Sequence, residues 1–189
     1  MEWYTAAERF TEALATSDAT PGGGAAAAMA GAMGCALALM AAKTTLKRKN
    51  TPAEIRTRLD PAVKRLGALK TELKTYIHKD SEAYSAYLAA AKLPKEDPRR
   101  PQALEDALWF AASVPADCAK TSMHCLQEID KIKENIAPVI LSDIYCAQHL
   151  LKSSIKCSVE NIQANLVFIQ NKDHIAKLEK LVAGLKKSY

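Results

Sequence analysis

The sequence has few aromatic residues and few glycines. Aromatic side chains make up 6% of the 189 residues, whereas hydrophobic residues make up 49%. A β-sandwich core uses more aromatic and β-branched residues, and no strand-like alternation of polar and apolar residues is present. Five of the seven glycines fall between Gly22 and Gly34, so loops elsewhere are expected to be short. This composition favours thin helices in close contact.

Signals of several other protein classes are also missing. The net charge of +5 is small, and no concentrated basic stripe of the kind that binds nucleic acid is present. The first ten residues carry charges and no apolar run, so no secretory signal is expected there. No C-x-x-C pair occurs, so the cysteines are expected to be reduced and buried, in a reducing, cytoplasmic compartment and without a metal site. They are Cys35, Cys118, Cys125, Cys146 and Cys157.

One uncharged segment, Gly22 to Ala42, is long enough to cross a bilayer. Its residues are mostly Ala, Gly and Met, which drive membrane insertion weakly compared with Leu, Ile and Phe. We therefore expect a central helix surrounded by protein, without membrane contact. A helical membrane protein is the less favoured alternative.

The spacing of apolar residues predicts six helices in one domain spanning residues 1–189. The expected fold class is all-α, an elongated up-and-down bundle. The predicted helices cover about residues 5–15, 25–43, 52–93, 102–133 with a kink at Pro115, 138–169 and 173–186.

Asp80 occupies a core position in the apolar seam of the third predicted helix. A carboxylate there loses its solvation unless another group pairs with it or donates a hydrogen bond to it. Asp80 is therefore either a functional group or a carboxylate at the edge of the seam that reaches water or a lysine. The seam consists of Leu66, Leu69, Leu73, Tyr76, Ile77, Asp80, Tyr84, Tyr87 and Leu88.

Polar residues also interrupt the apolar pattern of the fifth predicted helix. Asp143 has apolar neighbours, and it serves either proton transfer or a structural hydrogen bond. Asn161 and Asn165 share a helix face that Ser154 and Ser158 continue, which is typical of a heterocycle-binding pair or of a solvated or dimer-facing strip. Asp143 and Asn161 lie about 27 Å apart along a straight helix. They serve opposite ends of a long ligand, or two chains bring them together.

A glycine run precedes the second predicted helix. Glycines allow a ligand to approach the backbone closely, and the first N–H groups of a helix favour an anion or a carbonyl oxygen. A flexible lead into the helix is the alternative interpretation. The segment comprises Thr20, Pro21, Gly22, Gly23 and Gly24.

These features occur together in an ordered set of motifs. The segment 20–34 reads T-P-G-G-G-A-A-A-A-M-A-G-A-M-G, and the segment 80–84 reads D-S-E-A-Y. A V-P pair at 114–115 and an S-D pair at 142–143 follow, with Asn161 and Asn165 downstream. Over nearly its whole length the chain resembles the formiminotransferase-cyclodeaminase C-terminal domain and its stand-alone relatives, the methenyltetrahydrofolate cyclohydrolases.

Two segments depart from the pattern of that family. Residues 43–50 read K-T-T-L-K-R-K-N and lack an asparagine and a glycine that the family carries. The family's G-N-x-N before its S-D pair is also altered, since Asn135 is out of register and Pro138 intrudes. A catalytically lapsed folate-binding or scaffold protein is therefore the alternative to an active enzyme.

The resemblance implies an enzyme that acts on 5-formimino-tetrahydrofolate, releasing ammonia, or on 5,10-methenyl-tetrahydrofolate. It implies Asp143 as the first candidate for the acid/base and Asp80 as the second. It further implies a homodimer with a folate substrate and no metal or tightly bound cofactor. The ligand would be held by the glycine run, Ser142, Asn161 and Asn165, and its glutamate tail attracted by Lys47, Arg48 and Lys49.

Overall fold

The computed structural model describes residues 2–187, and these residues form six α-helices, two short 3₁₀ turns and no strand. The predicted all-α fold is confirmed. The fifth helix begins later than predicted, because residues 133–135 and 138–140 form 3₁₀ turns on either side of Ala137. The helices are α1 Glu2–Leu14, α2 Gly23–Lys47, α3 Ala53–Ala91, α4 Arg100–Ile132, α5 Leu141–Leu166 and α6 Lys172–Lys186.

Helices α2 to α5 form an antiparallel four-helix bundle in which each helix packs against the next and α5 returns to α2. The N-terminus of α2 meets the second half of α3, where the amide nitrogen of Ala25 lies 3.0 Å from Oδ2 of Asp80. Between α4 and α5, the hydroxyls of Ser122 and Ser154 are 3.0 Å apart. Short connections between neighbouring helices account for this up-and-down order.

Small residues bring α2 close to its neighbours. A Cβ atom at Gly31 would lie 2.8 Å from Oγ of Ser154 and 2.9 Å from Oγ of Ser122, distances that real Cβ atoms essentially never show. Glycine is therefore required there for α2 to reach α4 and α5 together. Of the described residues, only α2 forms a helix long and apolar enough to cross a membrane, and protein buries 61% of its most apolar stretch.

One face of α2 is not covered by the other helices. Met33 and Met40 are 48% and 38% exposed. We call this face the α2 stripe, and its spacing of three and four residues places all its members on one side of the helix. It consists of Ala26, Met29, Met33, Leu37 and Met40. Protein was expected to surround α2 completely. It covers three sides of the helix, and the fourth side exposes an apolar surface.

The predicted seam of α3 is wrong beyond Asp80. Tyr84, Tyr87 and Leu88 are each more than one third exposed, while Ala83 and Ala90 are buried. Helix α2 begins level with Asp80, whereas α3 continues for eleven more residues, or about 16 Å. No residue of α2 lies opposite that last part of α3, so its large side chains line an open space.

The remaining helices lie outside the bundle. Helix α1 has no buried residue, and its Trp3 is 82% exposed. Helix α6 packs against α4 and α5, and its His174 ring stacks on Trp109 at a centroid distance of 3.9 Å. The expectation that all five cysteines are buried is wrong for Cys146 and Cys157, which lie on the outer face of α5.

Candidate functional site

A cavity of about 960 Å³ occupies the end of the bundle where α3 extends past α2. Its walls come from the N-terminus of α2, the second half of α3, the start of α4 and the end of α5. Predicted site residues from three separate segments line it. They are Thr20, Gly22, Gly23, Gly24, Asp80, Asn161 and Asn165.

Asp80 projects from α3 onto the N-terminus of α2. Its Oδ2 accepts a hydrogen bond of 3.0 Å from the amide of Ala25, the third residue of α2. The sequence suggested water or a lysine as the partner of Asp80. In the structure its partner is instead the N-terminus of α2, which favours a negative charge. Burial nevertheless raises the pKa of Asp80, although backbone hydrogen bonds from Ala25 and Gly22 oppose the shift. The carboxyl group is thus poised to exchange a proton nearer neutrality than an ordinary aspartate.

The glycine run lets side chains from two other helices approach α2. A Cβ at Gly24 would come within 2.8 Å of Cγ of Asp80 and still closer to its Oδ1. A Cβ at Gly23 would lie 3.3 Å from Nδ2 of Asn161. None of the described glycines has a positive φ, so these residues are required for close approach and not for a left-handed turn. Asp80 and Asn161 therefore flank the start of α2.

Asn165 has a structural role that its spacing did not indicate. Pro115 in α4 has no N–H group, so the carbonyl oxygen of Ala111, four residues earlier, lacks its helical partner. Nδ2 of Asn165 donates to that oxygen at 3.2 Å and to the carbonyl oxygen of Asn161 at 2.9 Å. Both amide hydrogens of Asn165 are therefore used within the protein, and its Oδ1 is the atom that can accept from a ligand.

The side chain of Asn161 makes fewer hydrogen bonds within the protein than that of Asn165. Its Nδ2 donates to the carbonyl oxygen of Cys157 at 2.8 Å. The polar strip that continues along α5 is not solvated, because Ser154 and Ser158 are fully buried against the bundle. The interpretation of that strip as a solvated surface is therefore wrong for the two serines.

Glu105 of α4 holds the α5–α6 connection at the edge of the cavity. Its carboxylate accepts hydrogen bonds from the amides of Gln170 at 3.0 Å and Asn171 at 3.2 Å, and His174 lies 3.3 Å away. The hydrogen bond from Gln170 is the main reason that the pKa of Glu105 is lowered. This arrangement positions Phe168 and Gln170 on the cavity wall.

Several predicted site residues lie away from the cavity. Ser142 and Asp143 occupy the first turn of α5, at the opposite end of the bundle from Asn161. Lys47 is the last residue of α2, about 36 Å along the helix from Gly23, and Arg48 and Lys49 follow it. Pro21 belongs to the glycine segment but is absent from the cavity lining. The cavity therefore unites Asp80 with the glycines and asparagines, and it leaves out Asp143.

Other cavity residues were missed by sequence reasoning. Tyr84 and Tyr87 were assigned to the core seam, although their spacing from Asp80 correctly placed all three on one face. Lys95 and Arg100 lie in the segment K-L-P-K-E-D-P-R-R-P, whose prolines indicated a loop but gave no sign of its neighbours. Within residues 2–187, no group of three or more His, Cys, Asp or Glu side chains is arranged to hold a metal ion.

Comparison with known sequences places these features in a family. The profile of formiminotransferase-cyclodeaminase matches residues 6–183. The chain is 29% identical to a methenyltetrahydrofolate cyclohydrolase of Methylorubrum extorquens, over 93% of this chain and 88% of that protein. It is 30% identical to a formimidoyltransferase-cyclodeaminase of Sus scrofa, over 93% of this chain and 33% of that protein. The chain thus spans about a third of the length of the pig relative.

The fold is also similar to a solved structure. The crystal structure of formiminotetrahydrofolate cyclodeaminase from Thermotoga maritima superposes with a TM-score of 0.80 and 27% sequence identity. The match covers 95% of this chain and 91% of the other. The helical architecture described above is therefore shared with that protein along nearly its whole length.

Proposed function

The chain belongs to the formiminotransferase-cyclodeaminase family, and we propose on this basis that it is a tetrahydrofolate one-carbon enzyme. Its substrate is 5-formimino-tetrahydrofolate or 5,10-methenyl-tetrahydrofolate, the compounds to which the names of its relatives refer. The observation that carries this proposal is the convergence of Asp80, the glycine run and Asn161 on one cavity. The ligand is a substrate, and the proposal includes no metal, nucleic-acid or membrane partner.

Asp80 is the proposed proton carrier. In cyclodeamination N10 attacks the carbon of the protonated formimino group, whose terminal nitrogen is then an NH2. N10 loses a proton, and the departing NH2 gains one and leaves as ammonia, so the methenyl product carries the positive charge. In cyclohydrolysis water adds to the methenyl carbon, and its oxygen loses both protons in turn as the formyl C=O bond forms. One proton is taken up by N5 as its bond to that carbon breaks, and the other is released to solvent. Both reactions need a group that accepts and returns a proton beside a positively charged centre, which a partly buried carboxylate supplies.

The residues around Asp80 orient the ligand. The exposed backbone of Gly23 has no side chain between it and the cavity, so a flat heterocycle can approach it closely. Asn161 offers an amide oxygen next to this backbone, and Asn165 offers its Oδ1. Thr20 and Gly22 complete this side of the cavity. A pterin ring has donors and acceptors along one edge that match such groups.

The α2 stripe supports a homodimer in which a second copy of the chain covers it. Gly23 and Lys43 are each ten residues from Met33, so an antiparallel pair of α2 helices crossing at Met33 places the partner subunit's Lys43 level with Gly23. Contiguous apolar surface of this kind marks protein–protein contacts. The basic C-terminal end of α2, which includes Lys47, Arg48 and Lys49, then lies near the cavity mouth of the other subunit.

The same pairing brings Asp143 toward the cavity of the partner subunit. Gly34 of α2 packs against the backbone of Ala147, so Asp143, one turn earlier in α5, is level with residue 38. In the antiparallel pair, residue 38 faces residue 28 of the other subunit, about one turn from the glycine run there. We propose that Asp143 and Ser142 act in the partner's cavity, and that Asp80 acts in its own.

Compartment and activity rest on the same proposal. A folate enzyme with free cysteines, two of them exposed, suits the reducing cytoplasm. The altered segments 43–50 and 135–138 favour one alternative, a catalytically lapsed folate-binding or scaffold protein with the same cavity.

The test is turnover of the two substrates by the purified chain, followed by the absorbance of the methenyl form. Cyclodeaminase activity makes this absorbance appear, and cyclohydrolase activity makes it disappear faster than in buffer. Enzyme-dependent change with either substrate supports the proposal. If neither substrate reacts while tetrahydrofolate binds, the lapsed binding protein is the correct interpretation.

A further inference from the structure

One face of α3 connects the proposed reaction centre to the distant end of the cavity. Asp80, Tyr84, Tyr87 and Ala91 are spaced by four, three and four residues, so they lie on one side of the helix. The first three line the cavity, and Ala91 at the end of α3 contacts Arg100. This face is about 16 Å long and leads from a carboxylate past two aromatic rings to a basic group.

Two cations stand at that far end without an anionic partner. Lys95 and Arg100 both line the cavity, and neither forms an ion pair with another described residue. The adjacent Arg99, by contrast, binds the carboxylate of Asp97 through two nitrogens. The cavity carboxylate of Glu105 is already bonded to backbone amides of Gln170 and Asn171.

The guanidinium group of Arg100 is only weakly satisfied by the protein. Nη2 donates to the carbonyl oxygen of Ala91 at 3.4 Å, near the limit for a hydrogen bond. Nε is buried and has no acceptor among the residues that the structure describes. A guanidinium carries five N–H donors in a fork that matches a carboxylate, so the terminal nitrogens of Arg100 have donors left for a ligand.

From this arrangement we propose that Lys95 and Arg100 form the subsite for the glutamate carboxylates of the folate. The inference rests on the proposed function, and it fixes the direction in which the ligand lies. The pterin ring is at Asp80 and Asn161, the p-aminobenzoyl ring lies along Tyr84 and Tyr87, and the glutamate reaches the two cations. The opposite direction would bring the carboxylates of the tail against that of Asp80, which repels them.

This subsite differs from the one expected from the sequence. Lys47, Arg48 and Lys49 are exposed residues at the other end of α2, and they reach a cavity only through a second subunit. Lys95 and Arg100 belong to the cavity of the same chain as Asp80. Long-range attraction of an anionic ligand needs only nearby charge, whereas fixing its orientation needs donors within hydrogen-bonding distance.

The test compares paired ligands with and without the glutamate moiety, 5,10-methenyl-tetrahydrofolate and 5,10-methenyl-tetrahydropteroate. Arg100→Gln and Lys95→Gln are expected to raise KM for the glutamate-bearing ligand about tenfold each, and to change kcat less than about twofold. With the pteroate ligand, neither variant should add a penalty. Arg99→Gln and Lys92→Gln, neighbouring cations that do not line the cavity, are the matched controls and should behave like wild type with both ligands.

Two results overturn the subsite. One is an equal penalty on both ligands, which would mean that the variants disturb the cavity generally. The other is an equal effect of Arg99→Gln and Arg100→Gln, which would mean that only surface charge matters. If the wild type turns over neither ligand, the proposed activity fails, and calorimetric Kd values for tetrahydrofolate and tetrahydropteroate give the same comparison. Absence of any preference for the glutamate-bearing compound then refutes the subsite.

Discussion

Asp80 of α3 caps the N-terminus of α2, since its Oδ2 accepts a 3.0 Å hydrogen bond from the amide of Ala25, 55 residues earlier in the chain. Gly22, at the N-cap position of α2, has no side chain that could do this. The carboxyl group therefore has a structural contact on α2 while it also lines the cavity. The two roles require different properties of the side chain. The cap requires an oxygen that accepts a hydrogen bond from Ala25, whereas the proposed reaction requires a carboxyl group that exchanges a proton with the substrate.

Asp80→Asn is expected to lower turnover strongly without lowering stability. The amide keeps an oxygen that can accept from Ala25, and it carries no charge to be desolvated. Because burial raises the pKa of Asp80, the fold favours the neutral form, so the melting temperature should be unchanged or higher. Loss of the proton carrier should reduce kcat about 10²- to 10⁴-fold. Thermal unfolding and turnover are measured on the same preparation.

Asp80→Ala is the companion variant. It removes the cap as well as the proton carrier, so it should lower the free energy of unfolding by about 0.5–2 kcal/mol. If Asp80→Asn keeps the rate of the wild type, Asp80 is a helix cap only, and the proton carrier is another residue.

The pH dependence of the reaction follows from the same carboxyl group. As a proton acceptor Asp80 must be ionised, so kcat/KM should fall on acidification, with a midpoint above the pKa of an ordinary aspartate because burial raises the pKa of Asp80. The stability effect has the opposite sign. The folded state holds this proton more tightly than the unfolded state. The contribution of Asp80 to stability is therefore full below the pKa of an ordinary aspartate, and it is lost as pH rises through the raised pKa of the folded state. The control is the residual activity of Asp80→Asn. If that activity shows the same fall in rate on acidification, a group other than Asp80 is responsible for it.

The sequence indicated that Asp80 was unusual but not what it contacts. Its place in an apolar seam is a local pattern, and local patterns predict helices and their faces well. The cavity arises because α3 runs past the start of α2, and that offset depends on the lengths of both helices and on how they pack. Tyr84 and Tyr87 therefore continue the seam in sequence but line a cavity in the structure.

Gly24→Ala should be destabilising, and Gly67→Ala should not. The new methyl group at position 24 would collide with Asp80, whose carboxylate would have to leave Ala25. We expect a loss of about 1–3 kcal/mol, together with a large loss of turnover. A Cβ at Gly67 meets nothing within 4 Å, and alanine at this helical position should add about 0.5–1 kcal/mol. Denaturant titration of both variants checks the contrast, and equal stabilities would show that Asp80 relaxes at little cost.

Asn165 and Pro115 should be energetically coupled. Asn165→Ala leaves the carbonyl oxygen of Ala111 without a donor and is expected to cost about 1–3 kcal/mol. In a Pro115→Ala background, the restored N–H can bond to that oxygen within α4, so the same change should cost less. A double-mutant cycle by denaturant unfolding measures the coupling, with exposed Gln163→Ala as the control. Additive free energies would show that Asn165 does not serve the carbonyl left by the proline.

The hydrogen bond between Asn165 and Ala111 also explains why the sequence indicated only part of the role of the asparagine pair. The spacing of Asn161 and Asn165 correctly placed both on one helix face that lines the cavity. The contact of Asn165 with Ala111 joins residues 54 positions apart, and its cause is a proline on a different helix. Nothing in the local sequence of α5 indicates such a partner, so the structural role emerged only from the fold.

The proposed dimer predicts that two inactive variants recover activity when their subunits are combined. If Asp80 acts in its own cavity and Asp143 acts in the partner's, then Asp80→Asn and Asp143→Asn chains are each inactive as homodimers. Their heterodimer contains one site in which both residues are mutated and one in which both are intact. Random mixing makes half of the dimers heterodimers, so about a quarter of the wild-type activity should return after the two inactive proteins are unfolded and refolded together.

A third variant separates subunit exchange from other causes. Met33→Glu places a charge at the centre of the α2 stripe, where the second copy is proposed to pack, and should shift light scattering toward a monomer. Introduced into both inactive chains, it should prevent the recovery. Full activity of Asp143→Asn alone would remove Asp143 from the reaction, whereas an inactive Asp143→Asn that gives no recovery on mixing would place it in its own chain's chemistry. If the mixed chains still recover activity with Met33→Glu and remain dimeric, the interface does not lie on the α2 stripe.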